Sequence, residues 1–267
     1  MPEKRYPELD ALRGIAVLGM VLYHFLFDLA YFYRWDIPVG EGSWRIFATF
    51  IAAIFLLLIG ICFVISWERR RLETRSHVIP SSPSVNDGVS RDRHHTFWSL
   101  YPTYLKRGFI IFSGGMLITF VTWSLAPDFY VKFGILHLIG ISTLLLPFFA
   151  SFKYWNFLLG VIVLFVFFVL PKQTSSVFFF PLGFPSPNFA SLDYFPLVPW
   201  FGVILIGMTL GSILYVPKRH PALALIDTLP FPLWLLGCGK CSLWIYFLHQ
   251  PLILLLLNLI LGMPTRT

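Results

Sequence analysis

The sequence predicts an all-α polytopic membrane protein, a bundle of about seven transmembrane helices with its N-terminus in the cytoplasm. Three observations carry that prediction. Of 267 residues, 57% are hydrophobic and only 12% are charged, and the mean hydropathy is +0.75. Soluble domains carry about 25% charged residues, so the solvent for most of this chain is hydrocarbon. Apolar runs close to the ~20 residues needed to cross a bilayer recur along the whole length. Finally, Lys and Arg are distributed unevenly between alternate connecting segments.

The runs are Leu12–Tyr33, Arg45–Trp67, Thr103–Leu125, Phe133–Phe152, Trp155–Leu170, Leu197–Val216 and Cys241–Met263. The fifth is short. Ala222–Leu236 is apolar but broken by Pro230 and Pro232, which fits an interfacial or re-entrant piece, or else an eighth crossing. With the N-terminus inside, fifteen of the twenty Lys and Arg residues fall on the cytoplasmic side. That asymmetry is the positive-inside pattern and favours an odd number of spans. The polar head Met1–Asp10 leads into a run too long for a signal-peptide core, so no removable targeting peptide is expected. The net charge of +7 is accounted for by membrane orientation and does not call for nucleic acid.

The chain reads as one transmembrane domain over residues 1–267, interrupted by Glu68–Pro102, a basic, Ser- and Pro-containing stretch expected to be a flexible cytoplasmic loop. His94 and His95 lie there with no second ligand pair at metal-binding spacing. Pro171–Pro199, rich in Pro, Phe and Ser, is expected over the outer mouth of the bundle. Cys238 and Cys241 form a lone CxxC without a thioredoxin-like βαβ context, on the reducing side of the membrane.

Ionisable groups inside spans are costly and usually face the bundle interior, where they mark a site or pathway. At about 100° per residue, Arg13 and His24 project within roughly 20° of each other, about 16 Å apart along the axis. Asp28 falls one turn beyond His24 on nearly the same line. The first span therefore carries one polar stripe: Arg13 at the cytoplasmic edge, His24 past the middle and Asp28 near the outer face. His137 lies in the fourth span, a few residues from the outer face, and His249 lies in the last, about two turns from the cytoplasmic one.

For each of these residues there is a packing or anchoring alternative. Three intramembrane histidines together favour proton transfer or catalysis. No histidine pair has i,i+4 spacing and no thiolate accompanies one, so no metal site is expected. Asp193, just before the sixth span, could orient an amine or hydroxyl acceptor. Lys106 and Arg107 open the third span and could join Arg13 in gripping the phosphates of a nucleotide-bearing donor.

Four blocks, LDALRGIAVLGMVLYH, FGILHLIGIS, DYFPLVPWFGVILIG and SLWIYFLHQPLI, resemble the heparan-alpha-glucosaminide N-acetyltransferase catalytic-domain family. They run from the first span to the last. The spacing Arg13, ten residues, His24 is also similar to the Arg/Lys-x10-His signature of the acyltransferase-three family of membrane O-acetyltransferases. The resemblance implies acetyl-CoA as cytoplasmic donor and transfer of acetyl to a sugar amine or hydroxyl on a glycan or related acceptor across the membrane. It implies donor contacts from Arg13 and a role for His24 as general base or acyl relay. It also places His137, Asp193 and His249 in shared blocks. Where the lysosomal member has asparagine at the position of His24 and a histidine in the next loop, this chain has His24 and no histidine in RWDIPVGEGSW.

The setting implied is an integral protein of a bacterial inner membrane, in contact with lipid and acyl-CoA and able to form a homodimer. A proton-coupled transporter using the intramembrane His and Asp groups is the alternative. The halves, however, lack the paired interrupted spans of inverted-repeat transporters.

Overall fold

A computed structural model of the chain describes residues 5–78, 88–170, 177–216 and 218–262. Eight α-helices and two 3₁₀ segments make up the described residues, and no strand occurs among them. The α-helices are α1 (Pro7–Phe32), α2 (Gly42–Val78), α3 (Gly88–Leu125), α4 (Ile135–Phe149), α5 (Trp155–Val169), α6 (Leu197–Leu214), α7 (Leu233–Lys240) and α8 (Ser242–Leu261). Five of them, α1, α2, α3, α6 and α8, are long and apolar enough to cross a membrane. The apolar helices α4 and α5 have 15 residues each. At 1.5 Å per residue they are about 22 Å long, short of the ~30 Å hydrocarbon core. These seven coincide with the seven predicted runs.

The structure differs from the sequence reading in one place. Glu68–Pro102 is not a flexible loop along its described length: α2 continues through Val78 and α3 begins at Gly88. The stretch ERRRLETRSH has no Gly or Pro and is rich in helix-favouring residues. Arg71 and Glu68 add an i,i+3 pair at 3.4 Å. Residues 79–87 lie outside the described ones, as do the side chains of His94 and His95 and the first six residues of Pro171–Pro199. Ala222–Leu236 holds no helix long enough to cross a membrane, which fits the interfacial or re-entrant reading better than an eighth crossing. Pro221–Thr228 is a 3₁₀ segment, and α7, after Pro232, has eight residues and spans about 12 Å.

Contacts gather into two compact units, Met1–Leu58 with Pro221–Thr267, and Ile59–His220. In the first unit α1 is the common partner of α7 and α8. Gly14 faces the Leu235 carbonyl and Gly239 faces the Asp10 carbonyl so closely that neither position has room for a Cβ. Lower residues of α1 thus meet higher residues of α7, which makes the two antiparallel. Against α8 the order is reversed. His24 meets His249, Asp28 meets Gln250, Leu29 packs with Ile253 and Leu257, and Tyr33 Oη donates to Asn258 Oδ1 at 2.9 Å. Partner numbers rise together, so α1 and α8 run parallel.

In the second unit α3 packs on α4, and α5 packs on α6. The α5–α6 contact is made through Gly160 and Gly202, where a Cβ on either would lie 2.7 Å from the other's carbonyl oxygen. Small residues allow this backbone approach where lipid offers no hydrophobic drive for helix association.

Candidate active site

Helix α1 opens with Pro7 at its first turn and buries Glu8 and Asp10 there, at the positive end of the helix dipole. Arg13, one turn on, places Nη1 3.3 Å from Asp10 Oδ1. The Arg13 guanidinium is therefore held near the helix start by a carboxylate of its own helix, and it remains half-buried.

One to two turns before the end of α1, three of the residues predicted from sequence come together with a fourth. The His24 and His249 rings lie 4.9 Å apart, centroid to centroid, at 61°. Each ring directs Nδ1 at a carbonyl of its own helix: His24 at Met20 O (3.0 Å), His249 at Tyr246 O (2.7 Å) and Ile245 O (3.2 Å). A carbonyl oxygen only accepts, so Nδ1 is the donor in both rings. In the neutral form this leaves the lone pair of each imidazole on Nε2. His249 Nε2 is buried with no hydrogen-bond partner. Asp28 is 0% exposed, and its Oδ1 accepts from Gln250 Nε2 at 2.7 Å. Asp28 Oδ2 and Gln250 Oε1 are also buried without a partner. Tyr23 stands edge-on to His24 at 5.9 Å and donates from its hydroxyl to Val39 O at 3.3 Å.

His137 and Asp193 belong to the second unit and meet there, at the N-terminus of α4. The Gly134 N–H donates to His137 Nδ1 (3.2 Å), so in the neutral ring the proton is on Nε2, which faces Thr119 Oγ1 at 3.4 Å. Thr119 Oγ1 in turn donates to Val131 O at 2.7 Å. His137 lies between Phe133, stacked at 5.5 Å, and Phe112, edge-on at 5.3 Å. Asp193 Oδ2 accepts from the Ile135 N–H at 3.1 Å, and its carboxylate rests against Gly134, where a Cβ would collide with it.

Burial pushes the Asp193 carboxyl up to about 6, although backbone N–H groups of Ile135 and Tyr194 pull the other way. Neighbouring Tyr194 is pushed up to about 12 by burial, and its hydroxyl donates to Phe180 O at 2.6 Å. Together His137 and Asp193 satisfy the N–H groups of Gly134 and Ile135 at the start of α4, a cap built half from within the helix and half from a distant loop.

Lys106 and Arg107 are exposed on α3 in the second unit, whereas Arg13 belongs to the first. Among the described residues no group of three or more His, Cys, Asp or Glu could hold a metal ion. Cys238 is partly exposed and Cys241 exposed, and both are free thiols. Sequence reasoning missed Gln250. The signal available was an amide next to His249 in an otherwise apolar run, and an uncharged amide stands out less than a charge.

The family model described as heparan-alpha-glucosaminide N-acetyltransferase, catalytic, matches residues 5–251. The chain belongs to this family. Membership makes it an integral membrane protein of an acetyltransferase family. The matched range holds all of α1 through α7 and closes one residue beyond Gln250, so it contains every candidate site residue described above. No curated protein and no solved structure matches the chain.

Proposed function

We propose that this protein moves an acetyl group from cytoplasmic acetyl-CoA to a sugar amine or hydroxyl on the other side of a bacterial inner membrane. The observation that carries the reading is the pairing of His24 and His249, each fixed through Nδ1 so that the lone pair of the neutral ring is on Nε2, beside a fully buried Asp28.

In this reading His24 Nε2 takes the proton of the acceptor N–H or O–H as the acceptor attacks the thioester carbonyl. A C–N or C–O bond forms, the C–S bond breaks, and the departing CoA sulfur receives a proton, so the imidazole returns to its starting state. His249, in ring contact with His24, accepts or returns that proton from the second helix. Asp28 Oδ2 accepts from the acceptor and orients it. Arg13, near the start of α1, supplies positive charge for the CoA phosphates. His137 and Asp193 act by fixing the start of α4. Nucleophilic attack needs an acceptor stripped of its proton in a site sheltered from water. The half-buried His24 and the buried His249, on parallel helices, supply the base, and the fully buried Asp28 lies one turn farther along α1.

Purified protein in detergent is expected to release CoA from acetyl-CoA when glucosamine or a glycan fragment is added, and His24→Ala is expected to slow that release by roughly 10²–10⁴-fold. Turnover in His24→Ala equal to that of the wild type would overturn the assignment of the base.

A further inference from the structure

We propose that Gln250 is a positioning residue for the acceptor, holding Asp28 so that one carboxylate oxygen faces the reacting group. Its kinetic consequence rests on the acyltransfer reading above. Successive residues on a helix turn by about 100°. Helix α8 therefore presents His249 to His24 and Gln250 to Asp28, one turn farther along α1. An amide has a donating end and an accepting end, and Asp28 Oδ1 is the accepting partner in this contact. The 2.7 Å contact with Asp28 Oδ1 accordingly fixes Nε2 toward the carboxylate and turns Oε1 away from it.

Three buried acceptors are then left without a partner from the protein: Asp28 Oδ2, Gln250 Oε1 and His249 Nε2. Buried polar atoms left unpaired are costly, and native proteins carry few of them. Three on two adjoining helix faces suit a group rich in hydrogen-bond donors, such as an uncharged amine or neighbouring hydroxyls. Gln250 contributes in two ways. It occupies Oδ1, so Oδ2 is the oxygen presented, and it adds Oε1 as a further acceptor. Glutamate in its place would set one carboxylate against another and lose the donor.

The test compares wild type, Gln250→Glu, Gln250→Ala, Asp28→Asn and the double variant Asp28→Asn/Gln250→Ala, each first shown to elute as a single species in detergent. With acetyl-CoA and glucosamine, either Gln250 variant is expected to lower kcat/KM for glucosamine about 100-fold. The KM for acetyl-CoA is expected to stay unchanged. In the Asp28→Asn background, removing Gln250 is expected to add less than about threefold, because the two act as one unit. Losses that multiply independently, or that fall equally on both substrates, would show a general packing role and overturn the proposal.

Infrared difference spectra of the Asp28 carboxyl, assigned by Asp28→Asn, give a second measurement that needs no turnover. The band is expected to shift in Gln250→Ala, and an unmoved band would overturn the positioning role. If the wild type fails to transfer acetyl at all, the acyltransfer reading falls, while the infrared band still decides whether Gln250 holds Asp28.

Discussion

Two sites in this molecule use the same residue types and satisfy them in opposite ways. At the start of α4, both nitrogens of His137 and one oxygen of Asp193 face groups of the protein, and the result is a capped helix end. Between α1 and α8, His249 directs Nδ1 to its own helix, and its Nε2 has no partner, like one oxygen each of Asp28 and Gln250. A buried histidine is therefore not a functional signal by itself. What separates the two sites is the number of polar atoms left over once the backbone has been served. The leftover atoms sit on long parallel helices, and the served ones sit where a short helix needs its end closed.

Substitutions that exchange one site's behaviour for the other's would break this comparison. The largest expected effect is on turnover. His24→Ala should lower kcat/KM by roughly 10²–10⁴, the range for loss of a general base. His137→Ala should leave it within about threefold. Comparable losses in both would erase the distinction. Asp28→Asn comes next: the shape and the Oδ1 contact are kept, but the oxygen presented to the acceptor is replaced by an amide nitrogen that donates. A loss of about 100-fold in kcat/KM is expected from misorientation of the acceptor, read by steady-state CoA release.

The third effect is on stability. His137→Ala leaves the Gly134 N–H without its partner, and an orphaned buried polar group costs about 1–3 kcal/mol. The thermal midpoint in detergent should fall by roughly 2–4 °C per kcal/mol. His24→Ala removes a ring whose described hydrogen bond is a local one to its own turn, and its midpoint should move less. The reverse order would mean that the ring between α1 and α8 is the structural one.

The α1 stripe was legible in the sequence because charge in an apolar run is a one-dimensional signal. Arg13, His24 and Asp28 need only a helical period to fall into line. Two aspects of the site were not legible. Gln250 is uncharged, and its importance comes from a partner 222 residues away in sequence. The difference between His137 and His249 depends on which nitrogen meets which backbone group, and that is fixed by the Gly134 turn and by Thr119 on another helix. Helix α7 escaped for a different reason. Its eight residues are too few to show an apolar period, and it is held against α1 by Gly14 and Gly239, contacts that no local pattern reveals. The helical ends of α2 and α3 were legible in propensity, but net charge and Ser/Pro content outweighed it in the reading of Glu68–Pro102.

The smallest expected effect concerns pH and falls on the capped site. Asp193 has its carboxyl raised from 3.8 to about 6, chiefly by burial. A group raised in the folded state binds its proton more tightly there than in the unfolded chain. Its contribution to stability is complete below about 4 and is lost as pH rises through about 6. The thermal midpoint of the wild type should therefore decline across that window by more than that of Asp193→Asn, whose amide oxygen still accepts from the Ile135 N–H and does not titrate. Other carboxylates titrate over the same range in both proteins, so the informative quantity is the difference between the two curves. A difference that grows from pH 4 to pH 6 and is flat above about 7 supports a buried cap that is cheaper to hold neutral. A difference of opposite sign would mean that the two backbone N–H groups outweigh burial. In that case the carboxylate, not the acid, would be the form that holds α4 in place.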